Sequence, residues 1–386
     1  MKFSAKLDAY RSGIFTELAK RRAALTARGV DVIDLGVGTP DMPPEPHVMR
    51  ALAEAASIPE NYVYAIADRA SLRAAAAAWY QRRFGVTLDP ANEIVALLGS
   101  QDGLAHVALA LIDPGDVVIV PDPGYPIFQM GPYLAGAKLY RAPQTERNGW
   151  VVDLDAIPPD VARAAVMMVT AYPSNPVTAL APDGYYEKLV AFAKRYEIAV
   201  IHDNAYCELI FDGAHGGSFL STPGAIDVGI ELNSLSKTYN MPGCRAGFAL
   251  GNSEIIARLS AVKSHLDYGM FLPIQLAAQA ALNGPQDCVA RTRLAYQRRR
   301  DALSQSFTAA GWPIAPTRAT MFTWARLPGG RRDSLNFALE LMEKTGVIVV
   351  PGISFGEGGE GYARIAMVRD EPTIREAARR FSGAVL

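Results

Sequence analysis

Short apolar runs alternate with helical patterns through the middle of the chain. The predicted strands are Ile94–Leu98, Val117–Val120, Lys138–Arg141, Val166–Thr170, Ala199–His202, Val228–Asn233 and Ala246–Leu250. Several of these runs are continuously apolar, as in strands that helices cover on both faces. Helical patterns occur at Gly103–Ile112, Tyr185–Tyr196 and Glu254–His265. This alternation predicts an α/β fold with a mostly parallel seven-stranded sheet between helices.

The pattern changes after Gly284, where long charged helices replace the alternation. The predicted elements are helices at Val289–Ala310 and Ser334–Thr345, and strands at Met321–Arg326, near Val347–Val350 and at Ala363–Val368. These elements indicate a smaller α+β domain. We predict a large domain at 46–283, and a small domain made of 1–45 and 284–386. Internal repeats and a low-complexity linker are lacking, so the two domains are expected to pack together.

Composition narrows the range of functions. The 386 residues carry a net charge of −1, which gives no indication of a nucleic-acid partner or an anionic membrane. The three cysteines, Cys207, Cys244 and Cys288, are widely spaced and show no zinc pattern, so neither a metal site nor a disulfide framework is expected. The sequence has no apolar signal region and no run near the ~18 apolar residues of a membrane span. A soluble, cytoplasmic enzyme is expected.

The segment from Asn233 to Arg245 carries the most specific chemistry. Lys237 can condense with an aldehyde to form a Schiff base. Ser234, Ser236 and Arg245 can hold a phosphate, with the arginine contributing charge-assisted hydrogen bonds. An aldehyde and a phosphate on one small molecule indicate pyridoxal 5'-phosphate (PLP). Taken alone, the segment is also compatible with an ordinary solvated loop.

Further candidate groups follow the predicted strands. The loop Gly99–Gly103 precedes a helix, whose free N–H groups suit a phosphate. Tyr125 could stack on the pyridine ring of PLP, and Asn175 could donate a hydrogen bond to the ring oxygen. Asp203 could pair with the protonated ring nitrogen, and Tyr206 could contact the ring oxygen beside Asn175.

Each of these motifs also has a purely structural interpretation, such as a turn or a helix cap.

Arg364 lies in an apolar strand and needs an anionic partner, either a substrate α-carboxylate or a structural carboxylate. The histidines at 106, 202 and 265 have no ligand spacing and are interpreted as structural. The candidate groups share the carboxyl ends of strands, where open α/β sheets bind ligands, and this favours a single site.

From about Ile33 to Ala384, the chain resembles the class I/II aminotransferases, which are fold-type I PLP enzymes. The resemblance rests on motifs in the order of that family: G-S-Q-D-G at 99–103, P-D-P-G-Y-P at 121–126, S-N-P at 174–176, D-N-A-Y at 203–206, S-L-S-K-T-Y-N-M-P-G-C-R at 234–245 and Y-A-R-I-A at 362–366.

The resemblance implies an enzyme that transfers an α-amino group to a 2-oxo acid by a ping-pong mechanism through a Lys237 aldimine. It implies catalytic roles for Lys237, Asp203 and Tyr206. The implied cofactor ligands are Tyr125, Asn175, Asp203 and Tyr206 at the ring, and Ser100, Gln101, Ser234, Ser236 and Arg245 at the phosphate. Arg364 would bind the α-carboxylate, assisted by Asn175 and the Gly38 backbone. A homodimer with shared active sites is also implied, in which Tyr64 reaches the phosphate of the neighbouring subunit.

Three features depart from the family pattern. Cys244 stands where related enzymes usually have tryptophan, and Val177–Ala179 replaces the usual T-G-x after N-P. The glycine usually found between the Tyr64-type tyrosine and L-R, here Leu72-Arg73, is missing. The first and third departures bear on the rim of the pocket or on the dimer contact.

The substrate remains open. The segments Gly36–Pro43 and Asp267–Gln275 resemble the alanine and LL-diaminopimelate aminotransferase branch, and the second contains no arginine. Glutamate or alanine is therefore the expected donor and 2-oxoglutarate or pyruvate the expected acceptor, with LL-diaminopimelate a further possibility. The alternatives are another fold-type I PLP enzyme, such as a C–S β-lyase, decarboxylase or acyl-transferring synthase, and a PLP-domain regulator. The regulator is disfavoured because the segment before Ile33 is too short for a helix-turn-helix module.

Overall fold

The computed structural model describes residues 1, 3–10, 14–214 and 216–384. Residues 2, 11–13, 215, 385 and 386, which the predicted domains include, lie outside the described residues. The helices are α1 Ile14–Ala27, α2 Pro46–Ala56, α3 Ala70–Phe84, α4 Ser100–Leu111, α5 Ile127–Ala135, α6 Pro159–Ala164, α7 Tyr185–Tyr196, α8 Ala225–Val228, α9 Leu235–Thr238, α10 Ser253–Leu266, α11 Leu272–Asn283, α12 Asp287–Ala309, α13 Ser334–Thr345 and α14 Glu371–Ser382. The strands are β1 Ile33–Asp34, β2 Ile94–Leu97, β3 Val117–Asp122, β4 Lys138–Pro143, β5 Ala165–Ala171, β6 Ala199–Asp203, β7 Gly229–Ser234, β8 Gly247–Gly251, β9 Phe322–Arg326, β10 Val347–Ile348, β11 Val350–Pro351 and β12 Tyr362–Ala366.

A seven-stranded sheet forms the centre of the molecule, in the order β2-β8-β7-β6-β5-β3-β4. Strands β3 to β7 are parallel, whereas β8 runs antiparallel to both of its neighbours, β2 and β7. All seven predicted strands are present, with ends displaced by two residues or fewer. The prediction of a mostly parallel sheet is confirmed.

Helices cover both faces of this sheet. On one face, Leu72 and Tyr80 of α3 and Leu189 of α7 belong to a large buried cluster. On the other face, Leu104 of α4 and Leu259 of α10 belong to a second cluster. Strands enclosed in this way have no polar face, which explains the continuously apolar runs in the sequence.

The C-terminal part of the chain builds a smaller antiparallel sheet in the order β11-β12-β9. The N-terminal segment joins it through a parallel pairing, in which Ile33 lies opposite Val347 and Asp34 opposite Ile348. The predicted strand segment at 347–350 is divided, because β10 pairs with β1 while β11 pairs with β12. A buried aromatic cluster that includes Trp312 and Phe337 packs this part of the molecule. Within the described chain, every helix is too short or too polar to cross a membrane.

Candidate active site

The parallel strands end at a cavity of about 560 Å³. Strands β3, β5, β6 and β7 point their carboxyl ends at this edge of the sheet, as does β2. Because β8 is antiparallel, its amino-terminal end lies at the same edge, which places Arg245 beside residues that follow the other strands. The cavity is lined by Val37, Gly38, Thr39, Ser100, Gln101, Tyr125, Pro126, Ile127, Met130, Asn175, Asp203, Ala205, Tyr206, Ser234, Ser236, Lys237, Arg245, Phe322 and Arg364.

Lys237 lies in the short helix α9, directly after β7. The Ser234 side chain caps this helix by accepting a hydrogen bond from the Ser236 N–H at 3.3 Å. Lys237 Nζ donates to the Gly38 carbonyl at 3.4 Å. Burial lowers the Lys237 pKa from 10.5 to about 8; the charges of Arg245 and Arg364 act in the same direction and that of Asp203 opposes them. An appreciable fraction of the amine is therefore neutral near physiological pH, as a nucleophile requires.

Asp203 ends β6, is buried and lines the cavity. Burial raises its pKa from 3.8 to about 7, against the lowering effects of the Ala205 N–H and the Lys237 charge. Its Oδ1 atom has no hydrogen-bond partner among the described residues. A buried carboxylate oxygen normally has a donor, so Asp203 is suited to a ligand that brings an N–H group.

An anion-binding corner lies where β2 leads into α4. Gly99 has a φ of +83°, and a Cβ at this position would lie 2.3 Å from Arg245 Nη2. Only glycine therefore lets the guanidinium lie across the start of α4. The buried Ser236 hydroxyl has no hydrogen-bond partner in the described chain. The Arg245 guanidinium, the Ser236 hydroxyl and the first N–H groups of the twelve-residue helix α4 together suit a phosphate.

Arg364, in β12, also lines the cavity. Its Nη1 donates to Asn175 Oδ1 at 3.0 Å and its Nη2 to the Gly36 carbonyl at 2.9 Å. Its guanidinium lies over the rings of Phe322 and Phe355, 4.0 and 4.7 Å from their centroids. Burial lowers the Arg364 pKa to about 10, so the group remains a cation at neutral pH. Since both of these hydrogen-bond partners are neutral, the charge is available to a carboxylate.

The contact with Arg364 orients Asn175. Because Asn175 Oδ1 accepts the guanidinium N–H, its Nδ2 group is left to donate toward the cavity. The Tyr125 hydroxyl donates to Gln101 Oε1 at 3.1 Å, which holds the Tyr125 ring beside the anion-binding corner. Burial raises the pKa values of Tyr125 and Tyr206, so both keep their hydroxyl protons at neutral pH.

Tyr64 alone among the predicted site residues does not line the cavity. Its side chain is 80% exposed, and its ring lies 5.5 Å from that of Tyr268. Cys244, the residue at the usual tryptophan position, is not a lining residue either. The lining residues that the sequence did not indicate are mostly apolar: Val37, Thr39, Pro126, Ile127, Met130, Ala205 and Phe322. The Phe322 ring lies close to Gly38, and a Cβ added to Gly38 would be 2.3 Å from it. No local sequence pattern indicates this contact.

Residues 30–381 match the family described as aminotransferase class I and II. The chain belongs to this family. The aminotransferase is 45% identical to the LL-diaminopimelate aminotransferase of Moorella thermoacetica over 368 residues, which cover 95% of this chain and 94% of the relative. Substrate-bound BacF from Bacillus subtilis has a similar structure, with a TM-score of 0.95, 35% identity and coverage of 99% and 98% of the two chains. A probable N-succinyldiaminopimelate aminotransferase from Thermus thermophilus superposes with a TM-score of 0.91, 38% identity and coverage of 96% and 100%.

The aminotransferase is therefore a PLP-dependent transaminase of fold type I, and the predictions of family, fold, reaction class and cofactor are confirmed. The residues at the cavity fit this cofactor. The unpartnered Asp203 Oδ1 suits the pyridine N–H, and the unpartnered Ser236 hydroxyl beside Arg245 suits the phosphate. Lys237 lies in the same cavity, where it can meet the aldehyde.

Proposed function

We propose that the enzyme transfers an α-amino group from glutamate, alanine or LL-diaminopimelate to 2-oxoglutarate or pyruvate, in a ping-pong reaction. One observation carries this proposal: the nucleophilic Lys237, the buried Asp203 carboxyl and the cationic Arg364 all line one cavity. When bound, PLP supplies an aldehyde and an electron-withdrawing ring. The protein supplies the binding groups, the orientation and the proton transfers.

Lys237 Nζ is the proposed proton carrier. Its pKa of about 8 allows it to accept a proton from the donor α-carbon and to return one at neutral pH. Burial keeps this pKa low, and the neighbouring cations Arg245 and Arg364 act in the same direction, so the amine is regenerated after each transfer.

Four residues are proposed to hold the cofactor ring. Asp203 Oδ1 would accept the ring N–H, and the positive charge of that ring would keep the Asp203 carboxyl deprotonated even below pH 7, the approximate pKa of this group without cofactor. Asn175 Nδ2 and the Tyr206 hydroxyl would donate to the ring oxygen, and Tyr125 would pack on the ring face. Asp203 and Tyr206 are thus proposed as catalytic residues with Lys237.

Two anion sites complete the proposal. The phosphate is held by Ser100, Gln101, Ser234, Ser236 and Arg245. The substrate α-carboxylate is held by Arg364, with assistance from Asn175 and the Gly38 backbone. Because Arg245 and Arg364 both lie close enough to Lys237 to lower its pKa, cofactor and substrate would meet at this amine.

The donor side chain would face the apolar part of the lining. Among the described lining residues the charged groups are Asp203, Lys237, Arg245 and Arg364, and each already has a proposed role. A fixed guanidinium for a second substrate carboxylate is therefore lacking in this part of the chain, which supports a small donor such as alanine. The name of the Moorella relative supports LL-diaminopimelate as a donor.

We also propose that the enzyme is a cytoplasmic homodimer with a large domain at 46–283 and a small domain at 1–45 and 284–386. An exposed apolar patch supports the dimer; it consists of Tyr62, Val63, Tyr64, Ile66, Tyr268 and Phe271. Its aromatic rings contact one another, with Tyr62 5.3 Å from Phe271 and Tyr64 5.5 Å from Tyr268. Contiguous exposed apolar surface of this kind marks interfaces. Tyr64 would reach the phosphate of the partner subunit from this patch.

The test is to add single amino acids to the PLP-loaded enzyme without an oxo acid and to follow the visible spectrum. Conversion of the cofactor to pyridoxamine phosphate by alanine, glutamate or LL-diaminopimelate is expected, and the fastest donor identifies the substrate. Release of pyruvate and ammonia would instead indicate a β-lyase, and release of carbon dioxide a decarboxylase; either result would overturn the proposal. Lys237→Ala should reduce turnover by orders of magnitude, and unchanged turnover would refute the mechanism.

A further inference from the structure

A buried lysine lies behind the proposed phosphate site. Lys263 belongs to α10, and its side chain is only 3% exposed. Its Nζ donates to Asp102 Oδ2 at 2.5 Å and to Asp267 Oδ2 at 2.9 Å. A lysine buried to this extent is rare unless its charge is paired. Lys263 does not line the cavity and has no role in the reaction as proposed so far.

Asp102 connects this lysine to the loop that holds the phosphate. It lies in the first turn of α4, directly after Ser100 and Gln101. Its Oδ2 accepts the backbone N–H of Leu98 at 2.9 Å, and its Oδ1 lies 2.7 Å from His106 Nδ1. The carboxylate thus closes the turn from β2 into α4 and sets the direction of the first N–H groups of the helix.

This arrangement has an electrostatic cost. Asp102 is an 8%-exposed anion in the same helical turn that is proposed to bind a doubly charged phosphate. Like charges repel strongly where water is excluded. A neighbouring cation is therefore needed if Asp102 is to shape the loop without opposing the ligand.

Lys263 supplies that cation. A metal ion could be held by a cluster of this composition, which consists of Asp102, His106 and Asp267. The Lys263 ammonium group, however, already contacts both carboxylates and supplies the positive charge. Asp267 is the C-cap residue of α10, so the lysine also ties the phosphate loop to the residue that precedes Tyr268 of the apolar patch. One buried charge thus fixes both segments.

We propose that Lys263 is a positioning residue for the cofactor phosphate. It holds Asp102 in the geometry that orients the α4 N–H groups, and it offsets the negative charge of Asp102 next to the phosphate. This inference rests on the proposed phosphate site. If Lys263 has this role, its loss should weaken the binding of a cofactor that carries the phosphate and not of one that lacks it. A general role of Lys263 in packing would affect both equally.

The test measures the dissociation constants of PLP and of pyridoxal, which lacks the phosphate, for the cofactor-free enzyme by equilibrium dialysis. In Lys263→Met the affinity for PLP should fall at least about tenfold, while the affinity for pyridoxal changes little. In the double variant Lys263→Met/Asp102→Asn the repelling charge is gone, and the affinity for PLP should recover. The control is Lys194→Met, which removes an exposed lysine paired with Asp227 on α8 and should change neither constant.

Asp102→Asn alone keeps the inference testable if Lys263→Met does not fold. The amide can still accept the Leu98 N–H, and Lys263 remains, so the affinity for PLP should equal or exceed that of the wild type. Equal losses of PLP and pyridoxal affinity in Lys263→Met, or no loss of either, would overturn the inference. Failure of the wild-type enzyme to prefer PLP over pyridoxal would instead overturn the phosphate site on which it rests.

Discussion

The buried ammonium of Lys237 should destabilise the cofactor-free enzyme, and replacing it by methionine should reveal this cost. Burial and two neighbouring arginines lower the Lys237 pKa from 10.5 to about 8. At about 1.4 kcal/mol per pKa unit, this difference corresponds to about 3 kcal/mol of folding free energy. The substitution of methionine keeps most of the side-chain volume and removes the charge.

Proton linkage determines the direction in which this contribution to the free energy of unfolding changes with pH. Between pH 8 and 10.5 the unfolded chain holds the Lys237 proton while the folded chain has released it, so wild-type stability gains from rising pH in this window. Below pH 8 the full cost is present, and above 10.5 it is absent. The methionine variant lacks this dependence. Its free energy of unfolding, relative to that of the wild type, should therefore fall by about 2 kcal/mol between pH 7 and pH 9.5.

Urea unfolding of both proteins, without cofactor and in buffer free of phosphate, measures this difference at a series of pH values. Groups that titrate in both proteins cancel in the comparison. Lys188→Met, which removes an exposed lysine of α7, is the matched control and should show a difference that does not vary with pH. A pH-independent difference for Lys237→Met as well would refute the lowered pKa, and with it the proposed ease of proton transfer.

Three substitutions test the anion sites and the ring partner. Arg364→Ala should raise the KM of every amino donor about hundredfold, because charge-assisted hydrogen bonds are worth about 1.5–3 kcal/mol each; an unchanged KM in steady-state assays would exclude the carboxylate role. Gly99→Ala should weaken PLP binding at least about tenfold in equilibrium dialysis, since its Cβ would lie 2.3 Å from Arg245 Nη2. Gly85→Ala is the control, because Gly85 has a similar φ but no atom within 4 Å of the added Cβ. Equal losses of PLP affinity in the two variants would refute the role of the Gly99–Arg245 contact. Asp203→Asn should leave PLP bound but lower kcat at least about hundredfold in single-turnover measurements, and wild-type kcat would disprove its role.

Some structural features are not encoded by a local pattern. The helix α5 was not predicted, since Gly131 and Pro132 interrupt its sequence, and it is stabilised by packing on α4. The helices α2 and α11 were also not predicted; α2 packs chiefly against α11, which also packs against α3. The pairing of β1 with β10 joins residues that are more than three hundred positions apart. Local propensity carries no information about such contacts.

The sequence by itself determined the strands of the large sheet and their order along the chain, the edge of the sheet where the candidate site lies, and the identity of the polar groups placed there. It could do so because a parallel sheet brings the carboxyl ends of its strands to one edge, whatever the details of packing. Only the tertiary structure decided how those groups face one another. The contact of Arg364 with Asn175, the approach of Arg245 to Gly99 and the pairing of Lys263 with Asp102 each join distant segments. Such contacts depend on how the two parts of the molecule and the helices pack, and so do the pKa values of Lys237 and Asp203, because desolvation is a property of the folded interior.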